Sequence, residues 1–215
     1  MIGRIGRAEP LLALIRNHEA PPAAARIQGR TQYGVVYSGI RAADRPERPL
    51  TEMTVAEVIA WQRTVVNRGA RSSAAGAYQF IRKTLAGLGL PNDRLFDELC
   101  QDEAAMILLD RRGWAKCEAG QMSVDAFADQ LAREWASFPV MADQKGQQRQ
   151  VKRGESYYAG DGLNAAYVKP DDVLAAIRAS LPPVPSPASP APVSGLFASI
   201  IAAIAAFFRR SKPNG

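Results

Sequence analysis

The sequence predicts an α+β domain, mainly α, with one small β-hairpin, followed by a proline-rich linker and a C-terminal apolar helix. Apolar residues recur at helical spacing between cap residues from Leu11 to Ile177. One patch, Tyr33-Gly34-Val35-Val36-Tyr37-Ser38-Gly39-Ile40, is instead β-branched and aromatic with flanking glycines, which suits a short strand or hairpin. At Pro182 the composition changes abruptly. These observations divide the chain into a folded domain over 1–181, a linker over 182–192, an apolar helix over 193–208 and a basic tail over 209–215.

The first expected helix runs from Leu11 to Glu19, where Pro21-Pro22 stops it because neither proline can donate the next backbone bond. From Ala23 to Leu50 no helical period is visible. Thr54-Val55-Ala56-Glu57 is a capping box, and Val55, Val58, Ile59, Gln62, Val65 and Val66 follow at helical spacing. The next helix is expected from about Ala75, with Tyr78, Ile81, Leu85 and Leu88 on one stripe and Gly87 and Gly89 at its end. Leu95, Leu99, Met106 and Leu109 mark another that ends at Gly113. Ser123 caps a helix with Val124, Phe127, Leu131 and Trp135 inward, before Pro139. Pro170 opens the last one, carrying Val173, Leu174 and Ile177.

Pro182 to Pro192 alternates proline with small residues and reads as a solvated, semi-rigid spacer. Val193 to Phe208 contains no charged residue, and Arg209, Arg210 and Lys212 follow it. Its apolar face and basic flank predict a membrane-active helix, a thin span or an interfacial wedge.

With 215 residues and 47% hydrophobic content, the chain is long enough for one domain with a real core. The net charge of +6 favours acidic partners. The basic residues are scattered, without a recognition helix or an RNP-like strand, so no specific nucleic-acid partner is expected. The single histidine, His18, argues against zinc sites and Ser-His-Asp hydrolysis, and no Gly-rich phosphate loop is present. No metal or cofactor is expected. The two cysteines, Cys100 and Cys117, lack CxxC spacing; buried thiols and a disulfide both remain open. What remains for chemistry is the carboxylates.

Four patches carry a resemblance: Glu19, Tyr33 to Gly39, Ser73-Ala74-Ala75-Gly76-Ala77-Tyr78-Gln79, and Trp135-Ala136-Ser137-Phe138-Pro139. In order and rough spacing over about Leu11 to Tyr167 the chain resembles the bacteriophage lambda-type endolysins, phage muramidases of the lysozyme-like superfamily. Gly154-Glu155-Ser156-Tyr157-Tyr158-Ala159-Gly160 is similar to the closing segment of such enzymes. The resemblance implies a lysozyme-like fold for 1–181 and cleavage of peptidoglycan between N-acetylmuramic acid and N-acetylglucosamine. Lambda-type endolysins are lytic transglycosylases, but the sequence does not separate that outcome from hydrolysis. A non-catalytic, membrane-anchored wall-binding protein on the same scaffold is the second reading. No long apolar run precedes Leu11, so no signal peptide is expected. The protein is expected to be made in the cytoplasm and to act at the periplasmic wall, with membrane contact through 193–208.

Cutting a glycosidic bond requires protonating a poor leaving-group oxygen, and so needs a carboxylic acid that stays protonated near neutral pH. Glu19, at a helix end beside apolar residues, suits that role if burial raises its pKa; a solvated helix-end Glu is the plain alternative. Asp44, between arginines in Arg41-Ala42-Ala43-Asp44-Arg45-Pro46, is the expected second carboxylate, and suits a loop salt bridge equally. Ser73, Tyr78 and Gln79 are expected to form the floor and wall of the cleft, with Gly76 letting a glycan approach the backbone. Tyr78 also fits a helix stripe. Tyr33 and Tyr37 fit either the sugar groove or the packing of the hairpin. Trp61, Trp114 and Trp135 read as core.

Overall fold

A computed structural model describes residues 2–162 and 164–183. The linker beyond 183, the apolar segment 193–208 and the basic tail lie outside the described residues. The architecture is mainly α with one small antiparallel β-hairpin. Among the described residues no helix is long and apolar enough to cross a membrane.

Helix α1 spans Ile2–Glu19, longer than expected, and runs through Pro10. Ser180, on the last helix, sits beside the proline: its hydroxyl accepts from the Leu11 N–H at 3.1 Å and donates to the Ala8 carbonyl at 3.5 Å. A proline inside a helix disrupts the local ladder, and here a buried hydroxyl from across the core serves the groups around it. Ile5, Ala8, Leu11, Leu12 and Ile15 form the buried face. Pro21-Pro22 ends α1 as expected, but Pro22 also opens α2 (Pro22–Gln28) as its first residue, where a missing N–H costs nothing. This short helix, in a stretch read as non-helical, ends on Gly29 in the left-handed region.

The hairpin lies elsewhere than expected. Residues Gln32–Gly34 form a 3₁₀ turn, and Val36 makes a single bridge to Ala75. The backbone bonds of this patch run to a distant segment: Tyr37 N–H to the Ala74 carbonyl at 2.9 Å and Gly76 N–H to the Val35 carbonyl at 2.8 Å. The paired strands are β1 (Gln144–Lys145) and β2 (Gln150–Val151), with Gln144 opposite Val151.

Helix α3 (Val55–Asn67) begins at the expected Thr54–Glu57 capping box. Residues 75–80 form a tight reversal rather than a helix, closed by Phe80 N–H to the Ala75 carbonyl at 2.9 Å. Gly76 at φ +80° and Gln79 at φ +50° cannot continue a right-handed helix, so α4 starts only at Arg82 (Arg82–Ala86). Helix α5 (Glu98–Arg111) is capped by Asp97 and followed by the unexpected α6 (Trp114–Glu118). Leu95 and Leu99 stay exposed; the buried face of α5 includes Cys100, Gln101, Met106 and Leu109. Cys100 and Cys117 are both free thiols. Helix α7 (Val124–Ala132) starts at Ser123, and Trp135 follows it in a turn. Helix α8 (Pro170–Ser180) packs along α1 and α7. Trp114, Tyr78, Phe80, Phe96, Phe127 and Phe138 fill the centre of one shared core.

Candidate active site

Glu19 is the last residue of α1, and the chain beyond it is pinned. The Gln32 side-chain amide reaches the Ala20 carbonyl at 2.8 Å, and at 3.3 Å the Arg16 carbonyl, which also accepts from the Ala20 N–H at 2.9 Å. Burial pushes the Glu19 carboxyl up to about 7. The opposing influence is Ser137, whose hydroxyl donates to Glu19 Oε1 at 2.5 Å and favours the charged form. Ser137 is itself held by Tyr167 N–H, which donates to its carbonyl at 2.8 Å.

Glu19 opens onto a groove of about 350 Å³ that Tyr37, Ser72, Gln79, Glu134 and Asn164 also line. Gln79 is the one non-glycine residue with positive φ among the described residues. Its side-chain amide donates to the Gly76 carbonyl at 2.8 Å and to that of Val35 at 3.3 Å. Those bonds use the NH₂ group and leave the carbonyl oxygen as an acceptor. A backbone held in a sparsely populated region beside a buried acid is a common mark of a functional turn.

A network on α5 holds this turn. Gln101, fully buried, accepts from Ala77 N–H at 2.8 Å and donates to the Tyr33 and Phe96 carbonyls at 3.0 and 2.9 Å. Asp102 accepts from the hydroxyls of Tyr78 at 2.5 Å and Tyr33 at 3.0 Å, and Arg16 donates to the Tyr78 hydroxyl at 2.9 Å. Arg16 also pairs with Glu9. Since Arg16 lies one turn before Glu19, the network ties the end of α1 to the turn that carries Gln79.

A model of the endolysin family matches residues 10–164, well over half of the chain. The chain belongs to the endolysin family. It is therefore a phage-type cell-wall-degrading enzyme, and peptidoglycan is its substrate. No curated protein and no solved structure matches it.

In this endolysin Glu19, Tyr37, Tyr78 and Gln79 come together at one groove, while the other expected site residues lie elsewhere. Tyr78 is only 1% exposed, its hydroxyl turned to Asp102 and Arg16. The Tyr33 hydroxyl is bound to the same carboxylate. Ser73 is buried beneath the groove, accepting from Arg82 N–H at 3.0 Å, and Ser72 takes its place on the wall. Gly76 packs on Gln101 and Phe96 rather than facing open space. Asp44 lines a separate hollow, where hydrogen bonds from Arg41 and Arg68 hold its carboxyl below the usual range. Sequence reasoning missed Glu134, which lines the groove and pairs with Arg112 at 2.7 Å, and gave no role to Ser137. Ser137 lay in the Trp-Ala-Ser motif; nothing marked Glu134 or the Gln101–Asp102 pair among the polar residues of their segments.

Ser137→Ala removes a bond that stabilises the carboxylate, so the Glu19 pKa is expected to rise further. A pH–rate profile should show activity persisting to higher pH than in the parent, and an unmoved alkaline limb would separate Ser137 from the acid.

Proposed function

We propose that this endolysin cuts the β-1,4 bond between N-acetylmuramic acid and N-acetylglucosamine by lytic transglycosylation, with Glu19 as the proton donor. The observation that supports this reading is a carboxyl whose burial keeps half of it protonated at about pH 7, open to a groove. Glu19 delivers its proton to the bridging oxygen as the C1–O bond breaks, and N-acetylglucosamine leaves with a free 4-hydroxyl. The carboxylate so formed takes the proton from the muramyl 6-hydroxyl as that oxygen attacks C1. An anhydro ring closes, and Glu19 is again protonated. No water is consumed.

The internal route is favoured because neither other carboxylate is free to activate water. Asp44 is held by Arg41 and Arg68 outside the groove, and Glu134 is held by Arg112. In this reading Asp44 fixes its loop, Gln79 presents its carbonyl oxygen to an acetamido N–H, and Tyr37 forms a wall. Mass spectrometry of fragments released from purified sacculi tests it. Anhydro-muramyl ends are expected; reducing muramyl ends would replace this mechanism with hydrolysis, and no release would remove the glycosidase assignment.

We also propose that residues 193–208, uncharged and followed by Arg209, Arg210 and Lys212, contact the membrane. The full chain is expected to float with anionic lipid vesicles, and a chain ending at residue 183 is not. Equal flotation of the two would discard the proposal.

A further inference from the structure

A glycan strand continues past the bond being cut, so its next units must lie along whatever surface adjoins the Glu19 groove. Two chain segments wall that groove on one side, around Tyr37 and around Ser72–Ala74, joined by the Tyr37 N–H to Ala74 carbonyl bond of 2.9 Å. The same two segments continue into a second hollow of about 260 Å³, lined by Gly39, Arg41, Asp44, Arg68, Gly69 and Ala70. Asp44 and Arg68 are shared with a third hollow of about 400 Å³, which Arg45, Arg48 and Trp61 also line.

The arginines of this extension are not alike. Arg41 and Arg68 both bind Asp44, at 2.6 and 2.9 Å, and Arg48 binds Glu57 at 2.7 Å. Two guanidinium groups on one carboxylate leave that triad net positive. Arg45 is different: it lines the hollow partly buried, and its side chain makes no hydrogen bond or ion pair among the described residues. The planar guanidinium fork matches a carboxylate in two parallel bonds. Glu47, the other acid of this hollow, is exposed.

We propose that the Arg45 hollow is a subsite for the carboxylates of the peptides carried by the glycan strand, a reading that rests on the Glu19 groove taking that strand. Trp61, whose indole N–H is fixed on the Asp44 carbonyl at 2.9 Å, supplies a rigid wall beside it. The subsite adds charge recognition of the peptides to recognition of the sugars by the Glu19 groove.

The test is sedimentation of the protein with sacculi in two forms, one with free peptide carboxylates and one with those carboxylates converted to amides. It is run on a Glu19→Gln background so that strands stay whole. Arg45→Ala removes no hydrogen bond or ion pair made among the described residues, so it is expected to fold. It should weaken binding to the free-carboxylate form by about tenfold or more, the loss of a charge-assisted pair, and leave binding to the amidated form little changed. Arg45→Lys, which keeps the charge but not the fork, should recover part of the loss. Equal weakening on both forms, or no weakening on either, overturns the subsite. The two readings fail separately: fragment release by the Glu19→Gln chain within a few-fold of the parent's would refute the acid assignment, whereas the subsite is judged on the ratio between the two preparations.

Discussion

Glu19→Gln is expected to lower fragment release from sacculi by about 10²–10⁴-fold, the usual contribution of a positioned general acid. The amide keeps the side chain's shape and still offers Ser137 an oxygen, so the groove should persist while the transferable proton is lost. The same substitution has a stability signature of opposite sign. In the folded protein the Glu19 carboxyl titrates at about 7, against 4.5 as its ordinary value. A carboxyl raised by folding binds its proton more tightly in the native state, so the parent loses stability as pH rises from about 4.5 through 7. Glutamine has no such dependence. At pH 8 the variant is therefore expected to melt no lower than the parent, and relatively higher than it does at pH 4. Retention of activity within a few-fold would dismiss Glu19 as the acid, whatever the melting curves show.

Gly76→Ala is expected to be the most damaging small change in the turn, at roughly 2–5 kcal/mol. Gly76 sits at φ +80°, where a side chain is strained. An added Cβ would also lie 2.3 Å from Gln101 Oε1 and 3.2 Å from a Phe96 ring carbon. Gln101 cannot simply swing aside. It is fully buried, and moving its oxygen would strip Ala77 N–H of its acceptor. Gly69→Ala is the control: φ is +93° there, but the space is open, so only the backbone strain of about 1–2 kcal/mol should appear in urea unfolding. Equal losses at the two sites would mean that Gln101 does not clamp the turn.

Much of the helical frame was legible in the sequence because its signals are local. The Thr54–Glu57 capping box, the Ser123 cap and Pro170 each act within one turn, and all three open helices where expected. The end of α1 at Glu19 follows likewise from two prolines that cannot donate. Where expectation and structure part, a distant partner intervenes. α1 passes through Pro10 beside Ser180, 170 residues away in sequence, and the Tyr33–Ile40 patch spends its backbone bonds on Ala74 and Gly76 instead of on a neighbouring strand. The segment 75–80 shows a helical stripe in sequence, yet two left-handed residues and the Gln101 clamp make it a reversal.

For the site the division is sharper. The sequence alone determined that a carboxyl stands at a helix terminus, that tyrosine and glutamine sit in a small-residue turn, and that few other groups could do chemistry. Only the tertiary structure decided that Glu19 is withdrawn from water, with Ser137, 118 positions away, as its donor. It also decided that Gln79 shares the groove of Glu19 while Asp44 lines another. Hydrogen bonds inside a helix or cap reach three or four residues and can be read from spacing. Desolvation depends on which surfaces meet, and no spacing rule records that.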